Sequence, residues 1–329
     1  VVPKNNALHK ISFVCLLYNL TILEKLGRGD RITDLLWISN DAEYLFSNVL
    51  NVMFASQVGR METEALSHSK SYIYASYEGQ LDPLNENDLD MTCVGHLREI
   101  QQFLRATWLL EDNCINHETG FLQVMLDEQT AVYHSNFLAY VVETSEGSKA
   151  HQTELTRDQL RTVRHFFRDH QNLASHNEMF LEPERFQPYG KVGRLDRCLY
   201  FVASARGEVF LPFRIASFCS CLETLFLRDN EELKHRLCER VALFLETDSA
   251  ARLRTYEAMG RCYNIRSKLV HGLDIKESIE QIRELSVMID EFVRKAILLV
   301  FEHPDYREVI ESRDDKAFSD FFLRRLFGA

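Results

Sequence analysis

The 329-residue chain is poor in the residues that break or loosen structure, with only six prolines and 13 glycines. Hydrophobic residues make up 46%, so a packed core is expected and nothing in the chain reads as disordered or low-complexity. Phosphate-cradling glycine loops are missing: neither GxGxxG nor GxxxxGK[ST] occurs, and GKVGR at 190–194 is too short to serve as one. GxSxG and HExxH are absent too, which removes the nucleophile elbow and the helical zinc-protease motif. The eight cysteines form no Cys-x-x-Cys pair. Several sit in apolar helical stretches as small buried hydrophobes, and with no clustered ligand spacing neither a metal site nor a cofactor is expected. No apolar run approaches the ~20 residues that span a bilayer. The opening VVPKNNALHK lacks the basic flank and apolar block of a signal peptide. It also lacks an initiator Met, so Val1 need not be the native start. A soluble cytoplasmic protein is the expectation.

Negative charge is abundant but uneven. The net formal charge is −11, with 10 Lys+Arg against 20 Asp+Glu in residues 1–150 and 28 against 29 in residues 151–329. Of 27 arginines, 22 lie in the second part. An acidic chain is a poor general nucleic-acid binder. Any contact with RNA must therefore use a local basic cleft in the second part, and residues 1–150 face some other partner or trigger.

The apolar pattern divides the chain into three expected regions. Residues 1–150 read as a mixed α/β domain. ISNDAEYLFSNVLNVMF reads as a helix behind an Asn or Asp cap, and ALSHSKSYIYASYEG as strand or irregular structure. DPLNENDLD reads as a polar loop. HLREIQQFLRATWLLEDN is a helix, and GFLQVMLDEQTAVYHSNFLAYVVETSE holds two or three strands. Residues 151–212 read as a connecting region, entered through a linker at 147–154 (GSKAHQTE). It contains the Thr-capped helix TRDQLRTVRHFFRDH, whose Arg157, Arg161, Arg164 and Arg168 make a basic stripe. That stripe is either a solvated face or an anion or partner surface. In the same helix His165 and His170 flank Asp169, but a spacing of five suits a helical metal site poorly.

Residues 213–329 are expected to form an all-α bundle. The helices are FRIASFCSCLETLFL, NEELKHRLCERVALFLE, SAARLRTYEAMGRCYNIRSKLVHG, and a long one whose apolar positions 275, 279, 282, 285, 289, 292, 296 and 300 step by three and four. Pro304 is expected to stop that long helix, and KAFSDFFLRRLF to form a short terminal one. Short connections imply antiparallel packing. The fold class is thus α+β overall.

The third of these helices ends in Arg266-Ser267-Lys268-Leu269-Val270-His271-Gly272. With 12 histidines and 27 arginines, about one Arg five places before a His arises by chance, and one is present. Spacing alone says nothing, so context must decide. Gly272 follows as a C′ glycine should. His271 lies at the negative end of the helix macrodipole, which suits a proton-donating imidazole. Five residues turn a helix by about 140°, so Arg266 and His271 flank the core stripe, and two copies across a dimer axis could assemble one groove. An arginine and a histidine suffice to cut RNA without a metal. The 2′-OH is the nucleophile, imidazole moves protons, and guanidinium holds the phosphate and the charge that develops on it. DNA, lacking the 2′-OH, would resist.

FRIASFCSCLETLFL, ERVALFL and YNIRSKLVHG together resemble the Apea-like branch of HEPN domains. There an apolar helix with a central Leu-Glu precedes a Tyr-x-x-Arg-Ser-x-x-Val-His-Gly segment. The matching residues are Leu222 and Glu223, then Tyr263, Arg266, Ser267, Val270, His271 and Gly272. The resemblance covers roughly 200–325, with a looser likeness at 103–121. It implies a four- or five-helix bundle that forms a homodimer. It also implies a metal-independent ribonuclease acting on single-stranded RNA, with Arg266 and His271 catalytic and Ser267, Glu223, Tyr263 and Lys268 supporting, in antiviral defence or RNA processing. Leu273 stands where some toxin members carry a modified tyrosine, so that control is not expected. Glu223, a lone carboxylate in an apolar helix, needs a partner. An arginine of the third helix is the expected one, either to orient Arg266 or to lock the bundle. The competing reading is a non-catalytic dimerisation module, or one that binds a nucleotide or an RNA end.

Overall fold

The structure is a computed structural model that describes residues 8–139, 141–173, 193–228 and 231–328. The chain is α+β, with an antiparallel sheet in its first part and a helical region in its second. It divides into two compact units, Val1–Val141 with Ala150–Phe167, and Val142–Lys149 with Arg168–Ala329.

The first unit is built on β1 (Leu8–Tyr18), seven of whose residues are buried in one unbroken run. Such a run marks a strand covered on both faces. It pairs antiparallel with β5 (Tyr72–Gln80) on one side and β6 (Asn116–Met125) on the other. With β3 (Asp30–Arg31), β4 (Leu36–Ser39) and β7 (Ala131–Phe137) the sheet order is β3-β4-β5-β1-β6-β7. β2 (Leu20–Ile22) and β8 (Thr153–Leu155) form a separate parallel pair. Phe13, Leu97, Ile100, Phe103 and Phe167 belong to one core cluster, which brings α4 (Glu86–Leu110) and α5 (Arg157–Leu173) onto one face of the sheet. The opposite face packs Val14, Tyr72 and Tyr74 against Leu45, Phe54 and Leu66.

Several expectations are corrected here. ISNDAEYLFSNVLNVMF is not one helix. Its first residues belong to β4, Asp41 caps only a short turn α1 (Ala42–Tyr44), a π-helical turn covers Leu45–Val49, and Leu50 is extended at φ −94°, ψ 150°. The single π turn buries Leu45 and Val49, and Phe54 joins the same core cluster from α2 (Phe54–Val58), ahead of α3 (Arg60–Ser67). The polar loop DPLNENDLD is half helix, because Asn85 accepts a hydrogen bond from Asn87 N–H and starts α4. The linker expected at 147–154 contains the boundary between the two units, but its end is regular: Thr153–Leu155 is strand β8, and 142–149 belongs to the helical unit. That assignment has a physical basis. Arg214 is 1% exposed and satisfies its guanidinium with Glu143 (3.1 Å), the Thr144 carbonyl and the Glu208 carbonyl.

The second unit holds α6 (Arg194–Gly207), α7 (Leu211–Phe226), α8 (Leu233–Leu245), α9 (Ser249–Val270), α10 (Ile279–Glu302), α11 (Pro304–Glu311) and α12 (Asp315–Phe327). α7 buries Ile215, Phe218, Cys219, Leu222, Leu225 and Phe226 and packs against α6, α9 and α10. α9 starts at an Asp248 cap and α10 at a full Ser278–Gln281 capping box. Pro304 does close α10, but it also opens α11 as an N1 proline, where its missing N–H is harmless. α6, which falls in the region read as connecting, is a further member of this unit. Among the described residues no helix is long and apolar enough to cross a membrane.

Candidate functional site

α9 ends in a Schellman-type turn. His271 is its C-cap, Gly272 N–H donates to the Leu269 carbonyl at 3.2 Å, and Leu273 N–H donates to the Lys268 carbonyl at 2.8 Å. Gly272 has φ +66°, the left-handed region that glycine enters without strain. This turn leaves the His271 side chain on the surface. Val270 and Leu273, close to it in the chain, and Ile279 at the start of α10 are all more than 60% exposed.

Arg266 lies one turn deeper and faces another way. Its guanidinium reaches Oε2 of Glu223 on α7 at 3.4 Å, with the two side chains 25% and 20% exposed. Its carbon centre stands 5.4 Å from the ring centroid of Tyr263, three residues earlier on the same face and buried. Oε1 of Glu223 is buried with no hydrogen-bond partner. Burial pushes the Glu223 carboxyl up, and the neighbouring Arg266 opposes that shift. Burial and the Glu223 carboxylate likewise push the Tyr263 phenol up. Arg266 is therefore held by a single contact with a carboxylate and an aromatic face. Its partly exposed edge leaves room for the paired hydrogen bonds a phosphate would take.

Lys268 and Ser267 are half-buried between the two. Lys268 Nζ sits 2.8 and 3.0 Å from the two oxygens of Glu277, and the ammonium holds that carboxyl below the usual range. Glu277 was not legible as a partner, because it lies across a helix end and a turn from Lys268, where no periodic spacing applies. The structure thus brings Glu223, Tyr263 and Arg266 into contact and sets Lys268 against Glu277, while His271 projects from the end of the helix.

The other sequence-level candidates carry less. Of the α5 arginines, Arg157 is paired with Asp30 at 2.6 Å, Arg161 with Asp158 at 2.9 Å, and Arg168 is exposed. His165 is exposed, and the side chains of Asp169 and His170 lie outside the described residues, as do residues 190–192 of GKVGR. All eight cysteines are buried, and burial pushes thiols such as Cys262 up to about 12 and Cys238 up to about 11. At those values Cys262 and Cys238 are core residues, not nucleophiles. Comparison of the chain with protein-family models, with curated proteins and with solved structures finds no match.

Proposed function

We propose that the protein is a metal-independent endoribonuclease of HEPN type. It acts as a homodimer through its helical unit, with Arg266 holding the scissile phosphate and His271 transferring protons. The observation that carries this reading is the division of labour at the end of α9. A guanidinium is oriented by Glu223 and Tyr263 yet keeps an open edge, and the histidine that caps the same helix five residues on is exposed. A histidine buried against its own bundle would have ended the proposal. The chemistry uses the substrate's own 2′-OH as nucleophile. Imidazole takes or gives the proton, the guanidinium stabilises the phosphorane charge, and the products are a 2′,3′-cyclic phosphate and a free 5′-OH. The exposed Val270, Leu273 and Ile279 supply apolar surface that a second copy would cover. Antiviral defence or RNA processing is the setting that goes with the reading.

The test is product analysis on single-stranded RNA. Cyclic phosphate ends, and no cutting at a 2′-deoxy nucleotide placed at the cleavage position, are expected. Cutting of DNA, or 3′-OH products, would overturn the mechanism.

A second reading rests on a specific feature. Both Arg266 and Lys268 already face carboxylates, so they can be structural, Arg266 tying α9 to Glu223 of α7 and Lys268 tying α9 to Glu277 before α10, in a non-catalytic dimerisation or nucleotide-binding module. Under that reading Arg266→Ala lowers stability while the protein has no cleavage activity to lose.

A further inference from the structure

The last turns of α9 carry two cations, and each faces one carboxylate: Arg266 faces Glu223, and Lys268 faces Glu277. A phosphodiester arriving here meets a locally neutral surface. The two carboxylates differ in what holds them. Glu223 sits mid-helix between fully buried Leu222 and Leu225, so it cannot leave Arg266 without disturbing the core. Glu277 lies in the turn between α9 and α10, immediately before the Ser278 cap, with exposed Lys276 and Ser278 on either side. Its side chain, 26% exposed, is anchored on a turn and not among core residues, so it can swing into water without disturbing the helix core, and it stays beside the N-terminus of α10, where a negative charge is favoured. Lys268 also lies nearer His271 than Arg266 does around the helix, about 60° away against about 140°. Its ammonium therefore serves the His271 side of the site.

We propose that Lys268 is a second phosphate-holding cation and that Glu277 is its resident counter-ion, displaced by a phosphate of the bound RNA strand next to the one at Arg266. This rests on the ribonuclease reading. Glu277 sets how tightly substrate is held, because each binding event must break the Lys268–Glu277 pair.

The experiment uses the full chain and a single-stranded RNA made uncleavable by 2′-O-methylation, with binding read by fluorescence anisotropy. Glu277→Gln is expected to bind about threefold to tenfold tighter than wild type, and Lys268→Met weaker by a similar factor. The double variant should match Lys268→Met, since the carboxylate acts only through the lysine. Glu277→Ser, which removes the carboxylate without putting an amide in its place, must show the same gain as Glu277→Gln. On cleavable RNA both Glu277 variants should lower KM and leave kcat unchanged. Unchanged or weaker binding by both Glu277 variants overturns the proposal. So does a double variant that keeps the full gain. If the wild type cleaves RNA through Arg266 and His271 while the Glu277 variants are silent, only this inference falls. If it neither binds nor cleaves RNA, the ribonuclease reading falls with it.

Discussion

At the scale of single residues, the Glu223–Arg266 contact bears on stability and on the proposed activity together. The two side chains are only about three-quarters covered, and the carboxylate has one oxygen paired and one oxygen buried alone. Glu223→Ala is expected to destabilise the chain by about 1–3 kcal/mol, because it strands a partly desolvated guanidinium. Glu223→Gln should cost less and still lower kcat/KM on RNA by roughly tenfold, since the guanidinium loses its orientation. Urea unfolding and steady-state kinetics on the two variants read these effects separately. A second residue-scale expectation concerns pH. His96 on α4 is 6% exposed, packs 4.9 Å from the Phe13 ring centroid and shares a 3.2 Å hydrogen bond with the Tyr77 hydroxyl. Burial lowers its pKa from 6.5 to about 4. Between those values the unfolded chain binds the proton and the folded chain does not, so stability falls as pH drops from about 6.5 towards about 4. The full loss from this group is about 3 kcal/mol. Unfolding by urea at pH 7 and pH 4.5, beside His96→Phe, measures it: the variant should lose less on acidification than the wild type.

At the scale of elements, the segment 142–149 belongs to the helical unit because Arg214 of α7 requires it. Arg214→Met would leave Glu143, 3% exposed, with only the exposed Lys149 at 3.3 Å. Removing one partner of a buried ion pair costs up to about 3–5 kcal/mol, less what Lys149 offsets, and Arg214→Met with Glu143→Leu should recover most of it. Thermal melts of the single and double variants test this pairing. Nothing in the sequence around Arg214 points 71 residues back to Glu143, and that kind of long-range charge pairing is what pattern reading misses. Local rules worked where the determinants are local. The periodicity of α7 to α10, the Gly272 stop and the Thr156–Gln159 cap of α5, with hydrogen bonds of 2.9 and 3.2 Å, are all legible within a few residues. They failed where one segment changes geometry along its length, as at Leu45–Leu50, where burial of Leu45 and Val49 is met by a π turn rather than a continuous helix. In the site, Arg266, His271 and the lone Glu223 could be singled out from the sequence, whereas the Lys268–Glu277 pair forms only through the turn after α9.

At the scale of the whole molecule, the question is how a chain of net charge −11 would handle RNA at all. The charge is concentrated in the first 150 residues, while the helical region is close to neutral and pairs its site cations with carboxylates. Long-range attraction is therefore small, and under the proposed function recognition would rest on a few close phosphate contacts at the end of α9. Binding should accordingly depend only shallowly on salt, with a slope near −0.7 for each phosphate held. The measurement that tests the account most directly is cleavage of single-stranded RNA in EDTA by the purified wild type, beside Arg266→Ala and His271→Ala variants shown to be folded. The account predicts cleavage by the wild type and its loss in both variants. Cleavage that survives either substitution would contradict the assignment of the site, and a folded wild-type dimer that binds RNA without cutting it would contradict the assignment of a catalytic role.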